Sequence, residues 1–453
     1  MLFLIGSGDE RLGEIHQLAA HEALGYTGPV FRGLGVRPWF PVFVLAVVTG
    51  CRHVGAGRET NEPVRVGILH SLTGTMAFSE KPVVQATLLA IEQINSKGGV
   101  LGRRIEPVVV DGASDAEVFV RESERLITQE RVAVLFGCWT SASLRSVTAV
   151  VEKHRHLLFY PVQSEGLAQS PNVVYTGAVA NQQMIPAVKW SFDHLGKRFF
   201  LAGSDYIFPR LAGAIMKDQI FALGGHVVGE HYIPLGSRDV ASLVQNMILA
   251  RPNVILNMIN GDSNIAFFEA VRRAGISPQR IPVVSVSLAE NELQQLGAAA
   301  VAGDYAVWNY FQSIDTEENA AFIRSFRDKY GPDRVLSDPM EAAFFGVQLW
   351  AQAVEQAVSA AASAVLEAIP HQSYAAPEGL VYVDRATRHT WKTVRVGRVR
   401  ADGQFDVVWS SRWPVRPVPY PHSRSRAEWE ALVEQFYLGW GKQWARPVGS
   451  PAN

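Results

Sequence analysis

The amino-acid sequence predicts an α/β protein with two doubly wound lobes, each built on a parallel sheet. Short apolar strands alternate with amphipathic helical segments over residues 64–160, and a second series of the same kind follows over 181–285. Such alternation is typical of a parallel sheet with helices on both faces. Because crossover connections are right-handed, the loops after the strands gather at one edge of each sheet, where ligands bind in such folds.

The first series contains four expected strands and the helices between them. It opens with a strand at 64–70 and a hydroxyl-rich loop, and its first helix ends at a Gly-Gly pair after Lys97. Glycine commonly follows a helix C-terminus, and Asp115 is a residue type that caps a helix N-terminus. We expect the remaining strands of this series at 105–110, 132–136 and 157–160. The remaining helices are expected at 115–129 and 144–152.

The second series repeats this plan and is followed by a third, mixed region. Apolar runs and helical spacing predict strands at 199–202, 226–233, 254–258, 281–285 and 305–310, and helices at 209–223, 263–273, 317–330 and 338–357. Short antiparallel strands are expected at 381–383, 391–399 and 405–409. A proline-bearing tail then leads to a short helix at about 427–437, with three tryptophans expected to pack on the body: Trp429, Trp440 and Trp444.

Polar and aromatic side chains follow three of the expected strands. Thr140, Ser141 and Ser143 come after the first of them and are residue types that cap a helix start. A helix start leaves backbone N–H groups free at the positive end of its dipole, where they can bind a carbonyl oxygen or a carboxylate. The stretches 159–166 and 203–209 place further Tyr, Ser, Gln and acidic residues at strand ends. Together the three corners predict one ligand pocket.

Composition excludes some classes of partner. The 453 residues are 48% hydrophobic and 19% charged, and 42 Lys and Arg residues nearly balance 43 Asp and Glu residues. A nucleic-acid-binding or polyanion-binding surface requires an excess of positive charge, so no nucleic-acid partner is expected. No apolar run approaches the roughly 20 residues that span a bilayer.

The N-terminal segment resembles a lipoprotein signal. An apolar run at 39–48 follows Arg37 and ends in Val48-Thr49-Gly50-Cys51, which is similar to the bacterial lipobox, in which the cysteine is lipidated. We therefore predict a signal segment at 1–51, of which 1–35 precedes the true start at Val36, and a tether at 52–63. The protein would reside in the periplasm or at the cell surface, in contact with the membrane only through a lipid on Cys51.

Several motifs resemble the Leu/Ile/Val-receptor type of periplasmic binding protein. Two of them are VGILHSLTG at 66–74 and GGVLG at 98–102. Four others are similar to the urea and short-chain amide branch, which includes the substrate-binding subunit of the urea ABC transporter and the amide sensor of the amidase operon: GCWTSAS at 137–143, FYPVQ at 159–163, GSDY at 203–206 and YFQSI at 310–314. The resemblance extends from about 64 to 420.

The resemblance implies a type I periplasmic binding protein, with two lobes joined by three crossing strands that close on a small neutral ligand. It assigns 64–185 to the first lobe, 186–310 to the second, 311–357 to a return to the first, 358–410 to completion of the second and 411–453 to a C-terminal tail. The residues that match the pocket of this branch are Trp139, Thr140, Ser141, Tyr160, Gln163 and Tyr206, with Ser71 and Glu290 facing the same cleft. Ser164 stands where the branch has tyrosine, which leaves open the choice between urea and a larger amide.

These residue types suit an amide ligand. Urea presents one carbonyl acceptor and four N–H donors, and each buried polar group left unpaired costs about 1–3 kcal/mol. Ser141 and the helix-start N–H groups are expected to bind the oxygen, while Tyr160, Gln163 and Tyr206 accept from the nitrogens and the Trp139 ring stacks on the ligand plane. An amino acid would need a countercharge for its ammonium group. Glu165 and Asp205 are the candidates, and we expect both to have structural roles.

The sequence thus predicts an extracytoplasmic receptor that delivers urea or a short-chain amide to ABC permease subunits, without cofactor, metal or covalent chemistry. One alternative is a cytosolic amide-sensing regulatory protein, which would not need the segment 39–51. The other is an amide- or nitrile-processing enzyme with Cys138 as nucleophile. A nucleophilic cysteine needs a base and an orienting partner, and the sequence shows no such set, so a core role is expected for Cys138.

Overall fold

The structure, a computed structural model, describes residues 62–447. The predicted signal segment 1–51 with Cys51, and nearly all of the tether 52–63, lie outside the described residues. Within 62–447 no helix combines the length and the apolar character needed to cross a bilayer.

The first part of the chain builds a five-stranded, fully parallel sheet with strand order β2-β1-β3-β4-β5. Side chains cap the starts of two of its helices: Asp115 accepts hydrogen bonds from two backbone N–H groups of α2, and Thr140 from one of α3. The elements are β1 (Val64–His70), α1 (Ala77–Ser96), β2 (Ile105–Asp111), α2 (Ala116–Thr128), β3 (Leu135–Gly137), α3 (Ser141–Lys153), β4 (Leu158–Tyr160) and β5 (Val173–Tyr175).

The middle of the chain builds most of the second lobe. Alternate residues of the strand at 198–204 face opposite sides of the sheet. Phe199 and Leu201 pack in one apolar cluster, and Phe200 and Ala202 pack in another. The elements are α4 (Met184–His194), β6 (Arg198–Ser204), α5 (Ile207–Ala222), β7 (His226–Ile233), α6 (Ala241–Ala250), β8 (Val254–Met258), α7 (Ser263–Arg273), β9 (Val283–Ser285), α8 (Glu290–Leu296) and β10 (Tyr305–Trp308).

The last part of the chain contributes to both lobes. Its elements are α9 (Glu317–Tyr330), α10 (Asp338–Ala357), α11 (Ala362–Ala368), β11 (Ser373–Ala376), β12 (Gly379–Val383), β13 (Thr390–Trp391), β14 (Arg395–Val399), β15 (Phe405–Ser410) and α12 (Arg426–Gly439). Strands β14 and β15 add antiparallel to one edge of the second sheet, which has the order β15-β14-β10-β9-β8-β6-β7. Strands β11, β12 and β13 form a small separate sheet.

The structure differs from the predicted division at one boundary. We expected all of 358–410 to complete the second lobe, but Val365, Ile369, Val381 and Val383 are buried in the apolar core of the first lobe. Only from β14 onward does this region join the second sheet. The predicted strand 391–399 is accordingly two strands, β13 and β14, separated where the chain passes from one lobe to the other.

The chain passes between the lobes three times, and the crossing segments are hydrogen-bonded to one another. Gln182 of the first crossing donates through Nε2 to the carbonyl oxygen of Thr390, at 2.9 Å. Asn309 of the second donates through Nδ2 to the carbonyl oxygens of Gln182 and Thr393, at 3.3 and 3.1 Å. The predicted fold class, a two-lobed α/β protein with parallel sheets, is confirmed.

Candidate functional site

A cavity of about 100 Å³ lies between the two lobes. The carboxyl ends of β1 and β3 contribute to it from the first lobe, and those of β6 and β7 from the second, as expected for parallel sheets. We call it the interlobe cavity. Its lining residues are Ser71, Met76, Glu80, Ser114, Asp115, Ala116, Phe119, Thr140, Ala142, Ser143, Tyr206, Leu235 and Ala445.

A sharp corner after β3 places Thr140 at the cavity. Gly137 permits the close approach of β1, because an added Cβ would lie 2.1 Å from the carbonyl oxygen of Leu69. Cys138 follows with a positive φ of 69°, which turns the chain toward the start of α3. Thr140 Oγ1 then accepts from the backbone N–H of Ser143 at 3.1 Å. The cavity wall is therefore a capped helix start, as the sequence predicted.

Two hydroxyl groups in the lining keep the capacity to donate to a ligand. Ser71 Oγ accepts from the backbone N–H of Ser114 at 3.0 Å, so its own proton is free to be donated. The Tyr206 hydroxyl makes no hydrogen bond with any residue in 62–447. Burial, and then the negative charge of Glu165, raise the pKa of Tyr206 well above its usual value, so this hydroxyl stays neutral and protonated.

The two carboxyl groups in the lining are already hydrogen-bonded. Glu80 is 1% exposed, and its Oε2 lies 2.9 Å from His70 Nδ1 and accepts from the backbone N–H of Ser71 at 2.8 Å. Asp115 caps α2, where Oδ1 accepts from the N–H groups of Glu117 and Val118 at 2.9 Å each. Among the thirteen residues of 62–447 that line this cavity there is no Lys, Arg or His.

Of the eight predicted ligand-binding residues, the structure places three in the lining: Ser71, Thr140 and Tyr206. Trp139 and Tyr160 are buried beside them, and the Tyr160 hydroxyl donates to the carbonyl oxygen of Trp139 at 2.6 Å. These two aromatic residues therefore support the corner after β3, and their rings are not part of the lining.

Ser141 is committed to a buried ion pair and not to the cavity. Its hydroxyl donates to Glu165 Oε2 at 2.6 Å, and Glu165 Oε1 accepts from Arg145 Nη2 at 2.8 Å. Asp205 likewise lies between two arginines, at 2.7 Å from Arg210 and 3.2 Å from Arg446. Both acids that might have held an ammonium ligand therefore have arginine partners, in line with the structural roles expected for them.

Gln163 connects the lobes from its buried position. Its Nε2 donates to the carbonyl oxygen of Val286, in the second lobe, at 3.0 Å. Its Oε1 has no hydrogen-bond partner among the residues that the structure describes. Ser164, the departure from the expected tyrosine, does not line the cavity, and its Oγ accepts from the N–H of Gly166 at 3.3 Å.

Glu290 lies apart from the other predicted residues. It lines a second, more open cleft together with Gln294, Gln312, Arg327 and Asp333. The physical reason is the direction of the chain at the start of α8, where Glu290 turns toward the second crossing and its Oε1 accepts from the N–H of Gln312 at 2.7 Å. The structure thus does not bring Glu290 to the interlobe cavity.

Direct contacts hold the lobes together around the interlobe cavity. Thr75 donates to Asp262, and Ser79 Oγ donates to Glu292 Oε1 at 2.9 Å. The C-terminal segment covers another side, because the carbonyl oxygen of Trp444 accepts from the N–H of Ile207 at 3.0 Å. The lobes are therefore in direct contact beside the cavity.

Cys138 has no environment for nucleophilic catalysis. It is fully buried, and burial followed by the nearby charge of Glu80 raises the pKa of its thiol well above the usual value. A reactive cysteine needs the opposite shift and an adjacent base. The core role expected for Cys138 fits this geometry.

Sequence reasoning missed several lining residues. Glu80 lies on the buried face of α1, and an acidic residue on an otherwise apolar helical stripe is a signal that can be read from sequence. Ala445 gives no such signal, because it reaches the cavity only through the path of the C-terminal segment, which pairs with Tyr206 in an antiparallel bridge.

Comparison with known proteins identifies the family. The profile described as "Periplasmic binding protein domain" matches residues 64–426. The chain therefore belongs to this family, whose members act as solute receptors of ABC transporters and deliver small ligands to permeases. Membership also implies a periplasmic location.

Curated relatives include a binding protein and an enzyme. The Leu/Ile/Val-binding protein homolog 6 of Brucella melitensis is 23% identical over 354 residues, which cover 74% of this chain and 87% of that protein. Limonene hydroxylase of Geobacillus stearothermophilus is 32% identical over 124 residues, which cover 27% of this chain and 23% of the hydroxylase. The chain thus spans less than a quarter of the enzyme's length.

Solved structures of similar fold are solute-binding proteins. One is a solute-binding protein of an ABC transporter from R. palustris in complex with 4-hydroxybenzoate, with a TM-score of 0.71 at 21% identity over 77% of this chain and 97% of that one. Another is the amino acid ABC transporter substrate-binding protein of Pseudomonas fluorescens, with a TM-score of 0.68 at 22% identity over 80% and 97%. At these identities the likeness shows the fold.

Proposed function

We propose that this receptor binds urea or a short-chain aliphatic amide in the interlobe cavity and delivers it to the permease of an ABC transporter. The main support for the proposal is the small volume of the cavity together with the charged groups in its lining. The cavity measures about 100 Å³ and both of its carboxyl groups are already hydrogen-bonded. Pockets for drug-sized ligands measure roughly 300–1,000 Å³, so a ligand of a few heavy atoms fits this smaller space better.

The charge of the lining favours a neutral ligand over the charged ligands of structurally similar receptors. An aromatic carboxylate would need a cation, and none of the described lining residues is Lys, Arg or His. An amino acid would also need a carboxylate for its ammonium group, but Glu80 already lies 2.9 Å from the His70 ring and Asp115 caps α2. Burying a charge without a partner is far more costly than burying a hydrogen-bonded neutral group.

The polar groups of the lining complement an amide. The protons of the Ser71 and Tyr206 hydroxyls are available to the carbonyl oxygen. Hydroxyl oxygens accept as well as donate, so Thr140 and Ser143 can accept from the amide nitrogens. Trp139, Ser141 and Tyr160 then serve in this proposal as the frame that holds the helix start in place.

Delivery follows from closure of the lobes. A ligand that contacts residues of both lobes, such as Ser71 and Tyr206, stabilises the closed state relative to the open one and shifts the population toward it. The permease would recognise this closed form. We further propose that a lipid on Cys51 anchors the receptor to the membrane, on the strength of the sequence pattern at 48–51.

Isothermal titration of the purified chain with urea, acetamide, butyramide, leucine and 4-hydroxybenzoate tests the ligand class. We expect saturable heat with urea or a short amide and none with leucine or 4-hydroxybenzoate. Preference for butyramide over urea would place the ligand at the larger end of the amide class. Binding of leucine or 4-hydroxybenzoate alone would overturn the proposal, because it would require a countercharge that the lining lacks.

A further inference from the structure

The cleft that Glu290 lines is separate from the interlobe cavity and also lies between the lobes. We call it the Glu290 cleft. Its volume is about 620 Å³. The second lobe contributes α8 and the turn between β14 and β15, and the first lobe contributes α9 and the loop after it. Gln294 joins the two sides by donating to the carbonyl oxygen of Asp333 at 3.0 Å.

Glu290 is a buried carboxyl group with incomplete hydrogen bonding. It is 1% exposed, and its Oε1 accepts from the N–H of Gln312 at 2.7 Å. Its Oε2 has no partner within residues 62–447. A buried charged group left without a partner is costly, so this oxygen is in a position to gain from a ligand that donates a hydrogen bond or carries positive charge.

The neighbouring acid on α8 has hydrogen-bond partners for both of its carboxyl oxygens. Glu292 lies two residues further along α8 and is 7% exposed. Its Oε1 accepts from Ser79 and Asn291 at 2.9 and 3.0 Å, and its Oε2 accepts from the N–H of Ala289 at 3.1 Å. Glu292 is not part of the lining of the Glu290 cleft. Of these two acids on α8, only the one that lines the cleft has a carboxyl oxygen without a partner among residues 62–447.

Acids outnumber bases in the lining of this cleft. The ionisable residues there are Glu290, Asp333, Asp402 and Arg327. Arg327 Nε donates a hydrogen bond to the carbonyl oxygen of Arg334 at 3.0 Å, and Asp402 forms an ion pair with Arg400. Val335, which is partly exposed, adds apolar surface beside them.

We propose that the Glu290 cleft binds a small organic cation that carries a primary ammonium group on a short aliphatic chain. The ammonium group would donate to Glu290 Oε2 and to the oxygens of Asp333 and Gln294, which suits its three N–H donors. The aliphatic chain would cover Val335. Because the cleft has walls from both lobes, a ligand there also contacts both sides of the hinge.

Titration of the full chain with n-butylammonium chloride at pH 8.5 tests this inference, with n-butanol as the neutral probe of similar shape. We expect saturable heat with n-butylammonium and none with n-butanol. The Glu290→Gln variant, which keeps the acceptor for Gln312, should bind n-butylammonium at least tenfold more weakly. The matched control Glu292→Gln, on the same helix, should bind as the unmodified chain does.

Three results would overturn the inference: no saturable heat with n-butylammonium, equal binding by the Glu290→Gln variant, or equal binding of n-butanol. Circular dichroism of each variant confirms that a loss of binding is not a loss of fold. Burial, and then the charges of Glu292 and Asp338, raise the pKa of Glu290 to about 8. The affinity for n-butylammonium should therefore fall between pH 8.5 and pH 6, and a constant affinity would count against Glu290 as the partner.

Discussion

The interlobe cavity and the Glu290 cleft both lie between the same two lobes, but their acids differ. In the interlobe cavity Glu80 Oε2 contacts His70 and Ser71, Asp115 Oδ1 caps α2, and hydroxyl groups complete the polar lining. In the Glu290 cleft one carboxyl oxygen is buried without a partner. We infer that the hydrogen bonding of the acids, more than their number, sets which charge of ligand each site favours.

The largest effect is expected where a paired acid beside the interlobe cavity is removed. Glu165→Ala leaves Arg145, whose side chain is 10% exposed, without its ion-pair partner. Breaking a buried pair from one side costs about 3–5 kcal/mol, so the free energy of unfolding should fall by that amount in guanidinium chloride denaturation. Glu152→Ala, an exposed position on α3, is the control and should change it by less than about 0.5 kcal/mol. Equal effects would mean that the pair does not stabilise this wall.

Replacing Glu290, the acid with an unpaired oxygen, should stabilise the fold, in contrast to Glu165→Ala, and the effect should depend on pH. The pKa of Glu290 is raised to about 8 from 4.5, so the folded state holds a proton that the unfolded state releases between these values. Stability contributed by the protonated group is complete below about pH 4.5 and is lost as the pH rises toward 8. Between pH 5 and 8 the free energy of unfolding should therefore fall less for Glu290→Gln than for the unmodified chain, by a few kcal/mol. Thermal unfolding at each pH measures this difference.

Glu292→Gln sharpens this comparison within one helix. The pKa of Glu292 is raised by burial to about 7, while hydrogen bonds from Ser79 and Ala289 partly oppose the shift. The same sign applies, over the narrower window from about pH 4.5 to 7, so its effect should be smaller than that of Glu290→Gln. A larger effect for Glu292→Gln would show that burial of the Glu290 carboxyl group, with its unpaired oxygen, does not cost more free energy than burial of the Glu292 carboxyl group.

An intermediate effect is expected from filling the interlobe cavity. Ala445→Leu adds bulk to a space of about 100 Å³, and one methylene in a binding pocket is worth roughly tenfold or more in discrimination. Titration should show butyramide weakened about tenfold more than urea. Ala431→Leu adds the same bulk at an exposed position on α12 and should leave both affinities unchanged. If the two variants weakened binding equally, Ala445 would not be a residue that lines the ligand site.

The smallest effect is expected from a single hydroxyl. Tyr206→Phe removes one proton donor from the interlobe cavity, and a neutral hydrogen bond contributes about 1 kcal/mol, or roughly fivefold in affinity. Titration with the ligand that binds best measures the loss, and the melting temperature should not change. Tyr437→Phe, on α12 and outside the lining, is the control. An unchanged affinity in Tyr206→Phe would mean that this hydroxyl does not contact the ligand.

The fold could be predicted from sequence because many of its helices and several of its strands are long and regular. The bounds of β1, β8, α7, α9 and α10 are those predicted, since continuous apolar runs and helical spacing define them. Strand β5 has only three residues and lacks a pattern of its own. The assignment of 358–410 was wrong in part because short strands do not reveal which core covers them.

The candidate site could be predicted only in outline. The strand ends that carry Ser71, Thr140 and Tyr206 were identified, because parallel strands bring their carboxyl ends together. The direction of individual side chains was not: Ser141 turns to Glu165, and Glu290 turns to Gln312. Ala445 lies far along the chain from the motifs, and only tertiary packing brings it to the cavity.

Parallel titration with acetamide, acetate and acetamidinium tests the central claim most directly, because the three differ in charge and little in shape. The Glu290→Gln variant is the protein of choice, since it removes the proposed cation site from the measurement. We predict saturable heat with acetamide alone. Preference for acetate would reveal a cationic partner that the lining lacks, and preference for acetamidinium would show that Glu80 is free to act as a countercharge. Either result would contradict a neutral ligand in the interlobe cavity.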